Sequence, residues 1–419
     1  MRIDRKELLK ALAIAGKVVA KNGHMPILGC VLIDGKGMKA TDLEVGVEIP
    51  LDIAPQEEGE EEVFCIGHAD LSKIVKSMES DSETVTISPK TEGEDSETGN
   101  WVQIQDYWDL ATLPADEYPV FETPKTSKDH WVTVGATALK NVLLASCKGD
   151  EVKSLDHAMF DAESQKVVAT DGHRLHMAPA KIEGVSWAIN DHFAKIILGL
   201  LGKDEDEVTF KTSVVKIVEE GNSPDFTGKK KPDLVAMAEE LKVEVPEKAT
   251  VAQIKDAITE STKDDGKLVV KNTVVSLENG TSFVCRVDGD IRFPDYKAVI
   301  PTEVKHSVVI RPKDVEKPLQ QAMAIISENY RSVKLTFNGG IDVENSNPDK
   351  GNYQRETIPV VSGKVEPALE MGLNPDLLRD VLSTAPKDTT EITVELVSAD
   401  KPLVFKHGKF LGLVMPMRV

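Results

Sequence analysis

The chain has 419 residues, 41% hydrophobic content, 5% aromatics and a formal net charge of −20. That length is too great for one ordinary core and calls for two to four domains. The acidic balance excludes a nonspecific nucleic-acid coat protein but not a local basic surface, because screening confines a charge to about 10 Å.

From the start, Met1 to Ala20 carries Lys6, Lys10 and Lys17 through its apolar positions. This is an amphipathic helix pattern opening at Asp4, not a signal peptide. Met25-Pro26-Ile27-Leu28, Ala40-Thr41-Asp42-Leu43-Glu44 and the acidic run Glu57 to Glu62 follow. A second helix is expected over Ala69 to Met78, with Lys73 and Lys76, and strands over Val85 to Ile87 and Trp101 to Ile104. Leu113 to Phe121 reads as an irregular exit segment. Four scattered cysteines (Cys30, Cys65, Cys147, Cys285) form no CxxC pair and read as reduced, mostly buried thiols. No stretch approaches the ~18 apolar residues of a membrane span, so a soluble cytoplasmic protein is expected.

The pattern then begins again. A helix opens at Gly135 with Lys140 and, on its flank, Lys148; Lys166 to Ala169 is strand-like. Ala169-Thr170-Asp171-Gly172-His173 echoes Ala40 to Glu44, and a helix over Asp191 to Leu201 carries Lys195. A strand is expected at Val208 to Phe210. Arg292-Phe293-Pro294-Asp295-Tyr296 repeats the exit segment. A third helix opens at Arg311 with Lys313 and Lys317, followed by a strand at Val333 to Phe337 and a helix over Asn374 to Ser383 with Arg379. Markers in the first half recur after about 130 residues, and those spanning the middle about 45 later.

The simplest account is three units, 1–126, 127–303 and 304–419, with an insertion near 221–266 in the second. Each unit offers two helices and about eight short strands, an α+β repeat. In the insertion, Pro232 to Leu241 and Thr250 to Thr259 read as short helices, with Pro232 in a first turn and Thr250 as an N-cap. The pattern resembles small SAP or LEM-like modules that touch nucleic acid or protein; a two-helix excursion without function is the plain alternative. Basic residues gather on the six helices while acidic runs fall elsewhere. A shared basic face for phosphates therefore competes with ordinary solvated lysines. The last ten residues, Phe410 to Val419, are largely apolar and need cover, as a docked strand or as the wall of a groove.

At Val168-Ala169-Thr170-Asp171-Gly172-His173-Arg174-Leu175 the chain resembles the DNA polymerase III beta subunit family, the bacterial sliding clamps. Further motifs match in order: Met25 to Leu28 with Ala40 to Glu44, Thr112 to Ala115 with Tyr118-Pro119, Phe293 to Tyr296, and Val414 to Arg418. The resemblance covers all but the insertion. It implies three clamp domains per chain and a head-to-tail homodimeric ring with helices lining the hole. It also implies sequence-independent encirclement of duplex DNA and tethering of polymerase and clamp loader through short linear peptides. No catalytic residue, metal or cofactor is implied. Localisation would be the bacterial cytoplasm or, for a phage gene, the host's.

The same resemblance implies a peptide groove between the second and third domains. Its walls would be Leu155, Thr170, Gly172, His173, Arg174, Leu175, Pro294 and Val299, then Met415, Pro416, Met417 and Arg418, with Asn374 and Tyr330 added. Methionines suit varied peptides, and arginines offer donors to a peptide carbonyl or carboxylate. Ala298 and Leu377 depart from the family pattern. For DNA contact the candidates are Lys21 or Asn22, Lys148 and Lys153 in loops, and Lys73, Lys76, Lys140, Lys195 and Arg379 on helices. The pair Ile325-Ile326 is the candidate dimer contact. Two rivals remain: a clamp-like scaffold whose inserted module recruits a partner, and a metal-dependent hydrolase using Asp171, His173 and His176. On a strand His176 would not share the face of the other two.

Overall fold

The computed structural model describes residues 1–20, 25–55, 62–79, 82–90, 101–119, 121–147, 154–202, 206–217, 230–240, 250–255, 267–288, 291–326, 331–347 and 350–417. Three times a strand runs straight into a helix: Arg2–Asp4 into Arg5–Ala15, Trp131–Gly135 into Ala136–Val142, and His306–Ile310 into Pro312–Ala324. Three times it does so again: Phe64–Gly67 into His68–Ser77, Trp187–Asn190 into Asp191–Leu198, and Leu369–Leu373 into Pro375–Ser383. The two helices of each set pack on one another. Nine described strands fall in each third of the chain, one more than the sequence suggests.

The helix ends have local causes. Asp4 accepts from the Glu7 amide at 2.9 Å and starts the first helix, whose Leu8, Ala11, Leu12 and Ala15 are buried at helical spacing. That helix stops at Ala15, and Arg2–Asp4 before it is a strand paired with Thr84–Pro89. Asn190 caps the helix Asp191–Leu198, which ends three residues earlier than its apolar pattern because Gly199 closes it. Pro375 is in place at its helix start: its missing N–H is one that needs no partner there, and Asn374 accepts from the Asp376 amide at 2.9 Å.

The strands form sheets of fourteen, nine and four, with antiparallel ladders throughout. Two seams join the repeats. Ser282–Arg286 pairs with Val45–Pro50, from Ser282↔Glu48 to Cys285↔Val45. Phe410–Val414 pairs with Arg174–Pro179, from Arg174↔Val414 to Met177↔Leu411. The second seam is tight. A Cβ on Gly412 would stand 2.3 Å from Val381 Cγ2, so only glycine lets the helix Pro375–Ser383 lie on this strand. Asn352–Ile358 is the edge of the four-stranded sheet.

The insertion leaves and re-enters at neighbouring points. Glu207–Ile217 and Lys267–Ser276 form one long ladder that closes at Ile217↔Lys267. The body therefore loses nothing by carrying extra chain there. Within it, Lys231–Glu240 buries Leu234 and Ala238 against Ile254, a small core of its own. Thr250 and Gln253 cap each other, amide to hydroxyl at 3.3 Å and amide to carboxamide at 2.9 Å. Cys30, Cys65 and Cys285 are buried free thiols, and Cys147 is half-buried. Among the described residues no helix is long and apolar enough to cross a membrane.

Candidate partner groove and nucleic-acid-facing helices

Thr170 to Arg174 is a turn, not a strand. Thr170 Oγ1 donates to the Arg174 carbonyl at 2.6 Å and accepts from the Gly172 amide at 3.1 Å. Asp171 Oδ1 accepts from the amides of His173 and Arg174, both at 3.0 Å. Gly172 takes φ +86°, a left-handed value glycine adopts without strain. The turn Thr41 to Val45 is the same object: Thr41 Oγ1 to the Val45 carbonyl at 2.8 Å, Asp42 Oδ1 from the amides of Glu44 and Val45 at 3.0 and 2.7 Å. There Leu43 sits at φ +80°. The sequence echo is thus a shared turn, and each copy feeds the strand that makes a seam.

Past the turn, Leu175 lies in an apolar cluster with Val168, Met177, Tyr296, Val404 and Leu413, onto which Phe293, Ile300, Leu411 and Met415 pack. The tail is pinned by backbone: the Met415 amide donates to the His173 carbonyl and the Met417 amide to the Gly372 carbonyl, each at 2.8 Å. Met417 is exposed at 42% and Val299 at 39%. Of the residues singled out from the sequence, Thr170, Gly172, His173, Arg174, Leu175, Met415 and Met417 come together at the second seam. Asn374, the helix cap, stands two residues beyond Gly372. Pro294 is exposed beside Phe293, whereas Leu155 lies outside the apolar cluster. Tyr330 and Arg418 are outside the described residues. Tyr296, Val404 and Leu411 were not picked from sequence; the Tyr118–Tyr296 echo was the available signal for the first.

Tyr296 anchors the exit segment. Its hydroxyl donates to Asp161 Oδ2 at 2.5 Å, which also receives Ser164 Oγ at 2.9 Å and lies 3.2 Å from Lys297 Nζ. Burial opposes charge on Asp161, but the bonds from Tyr296, Ser164 and Lys297 outweigh it and hold the carboxyl at about 2. Burial and the same carboxylate push the Tyr296 phenol up to about 12. His176 is fully buried; its Nδ1–H donates to the Asn141 carbonyl at 2.8 Å, and burial pushes the imidazole down to about 4. It is neutral at pH 7 and faces the seam, edge-on to Phe410.

These placements remove the hydrolase constellation. Asp171 is engaged by its own turn and by Arg174, and His176 by Asn141. Among the described residues no group of three His, Cys, Asp or Glu side chains could hold a metal. Arg174 also differs from the sequence-based expectation of a free donor: it is 6% exposed, bonded to Asp171 and Asp380.

The first seam has the same frame and a different surface. By the shared turn, Lys39 stands where Val168 does, Glu48 where Met177 does, and Gly46 where Leu175 does. Lys39 lies 3.6 Å from Asp34 and 3.7 Å from Glu48. The ring of Phe121 covers Gly46 so closely that a Cβ there would stand 2.6 Å from it. Among the described residues, the apolar positions Val168, Leu175 and Met177 of the second seam are therefore polar or covered at the first.

On the helices, Lys76 and Lys140 are exposed. Lys73 pairs with Asp70 at 3.3 Å, Lys195 with Asp191, and Arg379 with Asp376 at 3.1 Å, so three of the expected phosphate ligands already have carboxylate partners. Lys21, Asn22, Lys148 and Lys153 lie outside the described residues. Ile325 and Ile326 are half-buried after the helix Pro312–Ala324, which packs on the edge strand Asn352–Ile358.

Comparison with known proteins gives one answer along the whole chain. Residues 1–122 match the DNA polymerase III beta subunit N-terminal domain and residues 297–418 its C-terminal domain. The chain is 23% identical to the beta sliding clamp of Vibrio cholerae, over 100% of this chain and 99% of that protein. It is 22% identical to that of Rickettsia bellii with the same coverage. Among solved structures, the DNA polymerase III subunit beta of Pseudomonas aeruginosa superposes with TM-score 0.72 at 20% identity, covering 100% of this chain and 99% of that one. The beta subunit of Thermotoga maritima gives TM-score 0.71 at 22% identity, again over 100% and 99%.

Proposed function

The chain belongs to the DNA polymerase III beta subunit family, and on that footing we propose that it is a DNA sliding clamp. It is a non-catalytic processivity factor that encircles duplex DNA and tethers polymerase and loader to it. Tethering acts through topology and effective concentration, so the protein needs no reactive group. Its units are 1–126, 127–303 and 304–419, and its setting is the cytoplasm.

The observation that carries this is the seam rule. The last strand of the second unit pairs with Val45–Pro50 of the first, and the last strand of the third with Arg174–Pro179 of the second. The same rule sets residues 108–111 of the first unit's last strand, whose Thr112 and Leu113 already pair with Ile66 and Cys65, against the edge strand Asn352–Ile358 of the third in a second copy. Such a heterologous contact closes into a ring when the rotation allows. Exposed Tyr107 (68%), just before the first strand, and Tyr353 (64%), within the second, support that pairing, and Ile325 and Ile326 follow the helix that packs on the second. Six helix pairs then face the hole, where exposed Lys76 and Lys140, together with Lys21, Asn22, Lys148 and Lys153, meet phosphates. The second-seam face is the peptide groove.

The test is retention on DNA. The protein, with a mass near twice 45.8 kDa, should stay on nicked circular DNA after loading and run off once the circle is cut. A monomer at micromolar concentration, or equal retention on linear DNA, would overturn the proposal.

A further inference from the structure

We propose that Asp380, with Asn141, is the positioning residue of the groove: it holds Arg174 across the seam and thereby fixes the turn 170–174 against the tail 415–417. This rests on the groove assigned above and names residues behind its wall.

Arg174 bridges two sides. Its Nε donates to Asp171 Oδ2 at 3.0 Å within the turn, and its Nη1 donates to Asp380 Oδ2 at 2.5 Å on the helix Pro375–Ser383. Its side chain is 7% exposed, so both carboxylates act on it with little screening by water. A second tie runs beside the first. Asn141 Nδ2 donates to the Thr384 carbonyl at 2.8 Å, just past the end of the same helix, while its own carbonyl accepts from His176. Arg174 and His176 both lie on the strand that pairs with Phe410–Val414. The helix that receives both ties follows directly from the strand Leu369–Leu373, whose Gly372 carbonyl holds Met417. Turn, helix and tail are therefore one frame, and Asp380 is its only ionic link across the seam among the described residues.

A buried pair of this kind adds little net stability, but it fixes geometry. Without Asp380, the guanidinium keeps Asp171 inside the turn and loses its Nη1 acceptor on the helix, so the Thr170–Arg174 turn is no longer tied to the helix across the seam. The wall facing Met415 then loses its set position while the apolar floor stays.

The experiment uses the full chain and a fluorescein-labelled short linear peptide with apolar anchors. Asp380→Asn should weaken binding on the order of tenfold. Dimer mass should be unchanged, and Asp380→Glu should restore most of the affinity. Arg174→Ala and Asp380→Ala should be non-additive in the double variant. Wild-type affinity in Asp380→Asn, or strict additivity, would overturn the inference alone. No peptide binding by the unmodified protein would overturn the groove assignment and this inference with it.

Discussion

At the scale of single residues, the two copies of one turn make an internal control. Gly172 and Leu43 occupy the same left-handed corner, but only glycine does so freely. A side chain there costs about 1–2 kcal/mol. Leu43 is 53% exposed, so little burial offsets that strain. Leu43→Gly should therefore raise stability by about 1 kcal/mol, after the entropy glycine adds to the unfolded chain. A denaturant midpoint lower than wild type would show that Leu43 makes a contact worth more than its strain. Asp161 gives a second residue-level expectation. Its folded pKa, about 2, lies below its unfolded value, so its stabilisation is present above pH ~4 and is lost as pH falls toward 2. The shift corresponds to about 2 kcal/mol. Tyr296→Phe removes one of the bonds that produce it; urea midpoints across that window should fall less steeply with acid than in wild type, from a lower starting stability.

At the scale of elements, the seams are the informative structures. The strand Phe410–Val414 alternates between the apolar cluster of the groove and the body: Leu411 and Leu413 join the first, Phe410 and Val414 the second. Gly412 faces Val381 with no room for a methyl group. Gly412→Ala should destabilise by about 1–3 kcal/mol through overpacking. Hydrogen exchange should speed up in 174–179 and 410–414 before it does in 45–50 and 282–286. Equal change at both seams would mean that the two are not independent. The first seam differs in chemistry at the matching positions, where Phe121 packs on Gly46 and Lys39 pairs with Glu48.

At the scale of the whole molecule, three repeats and two internal seams account for the architecture, and the edge strand Asn352–Ile358 is the proposed place of assembly. The insertion stands outside that scheme, because its ends meet at Ile217↔Lys267 and its small core of Leu234, Ala238 and Ile254 is its own. Replacing 221–266 by a two-residue turn should leave dimer mass and peptide binding unchanged and shift the melting midpoint by no more than a surface change would, within about 0.5 kcal/mol. A monomeric or unfolded product would show that the module braces the body.

The repeat, the family and the turn motif at 170–174 were legible in the sequence because they rest on local chemistry. Thr–Asp at the start of each turn, the capping residues Asp4, Asn190 and Asn374, and helical apolar spacing act within a few residues. What joins the turn to the rest was not legible. Nothing in the chain order pairs Arg174 with Asp380, 206 residues away, or Tyr296 with Asp161, 135 away. Distance along the chain also hides the Asp380 end of Arg174 and the Asn141 partner of His176, whereas Lys195–Asp191 and Arg379–Asp376 lie four and three residues apart and were there to be read from helical spacing. Sequence by itself determined which local pieces form and how often they recur. Tertiary structure alone decided which distant groups meet, Arg174 with Asp380 and Tyr296 with Asp161, because burial and long-range pairing depend on what the fold brings alongside.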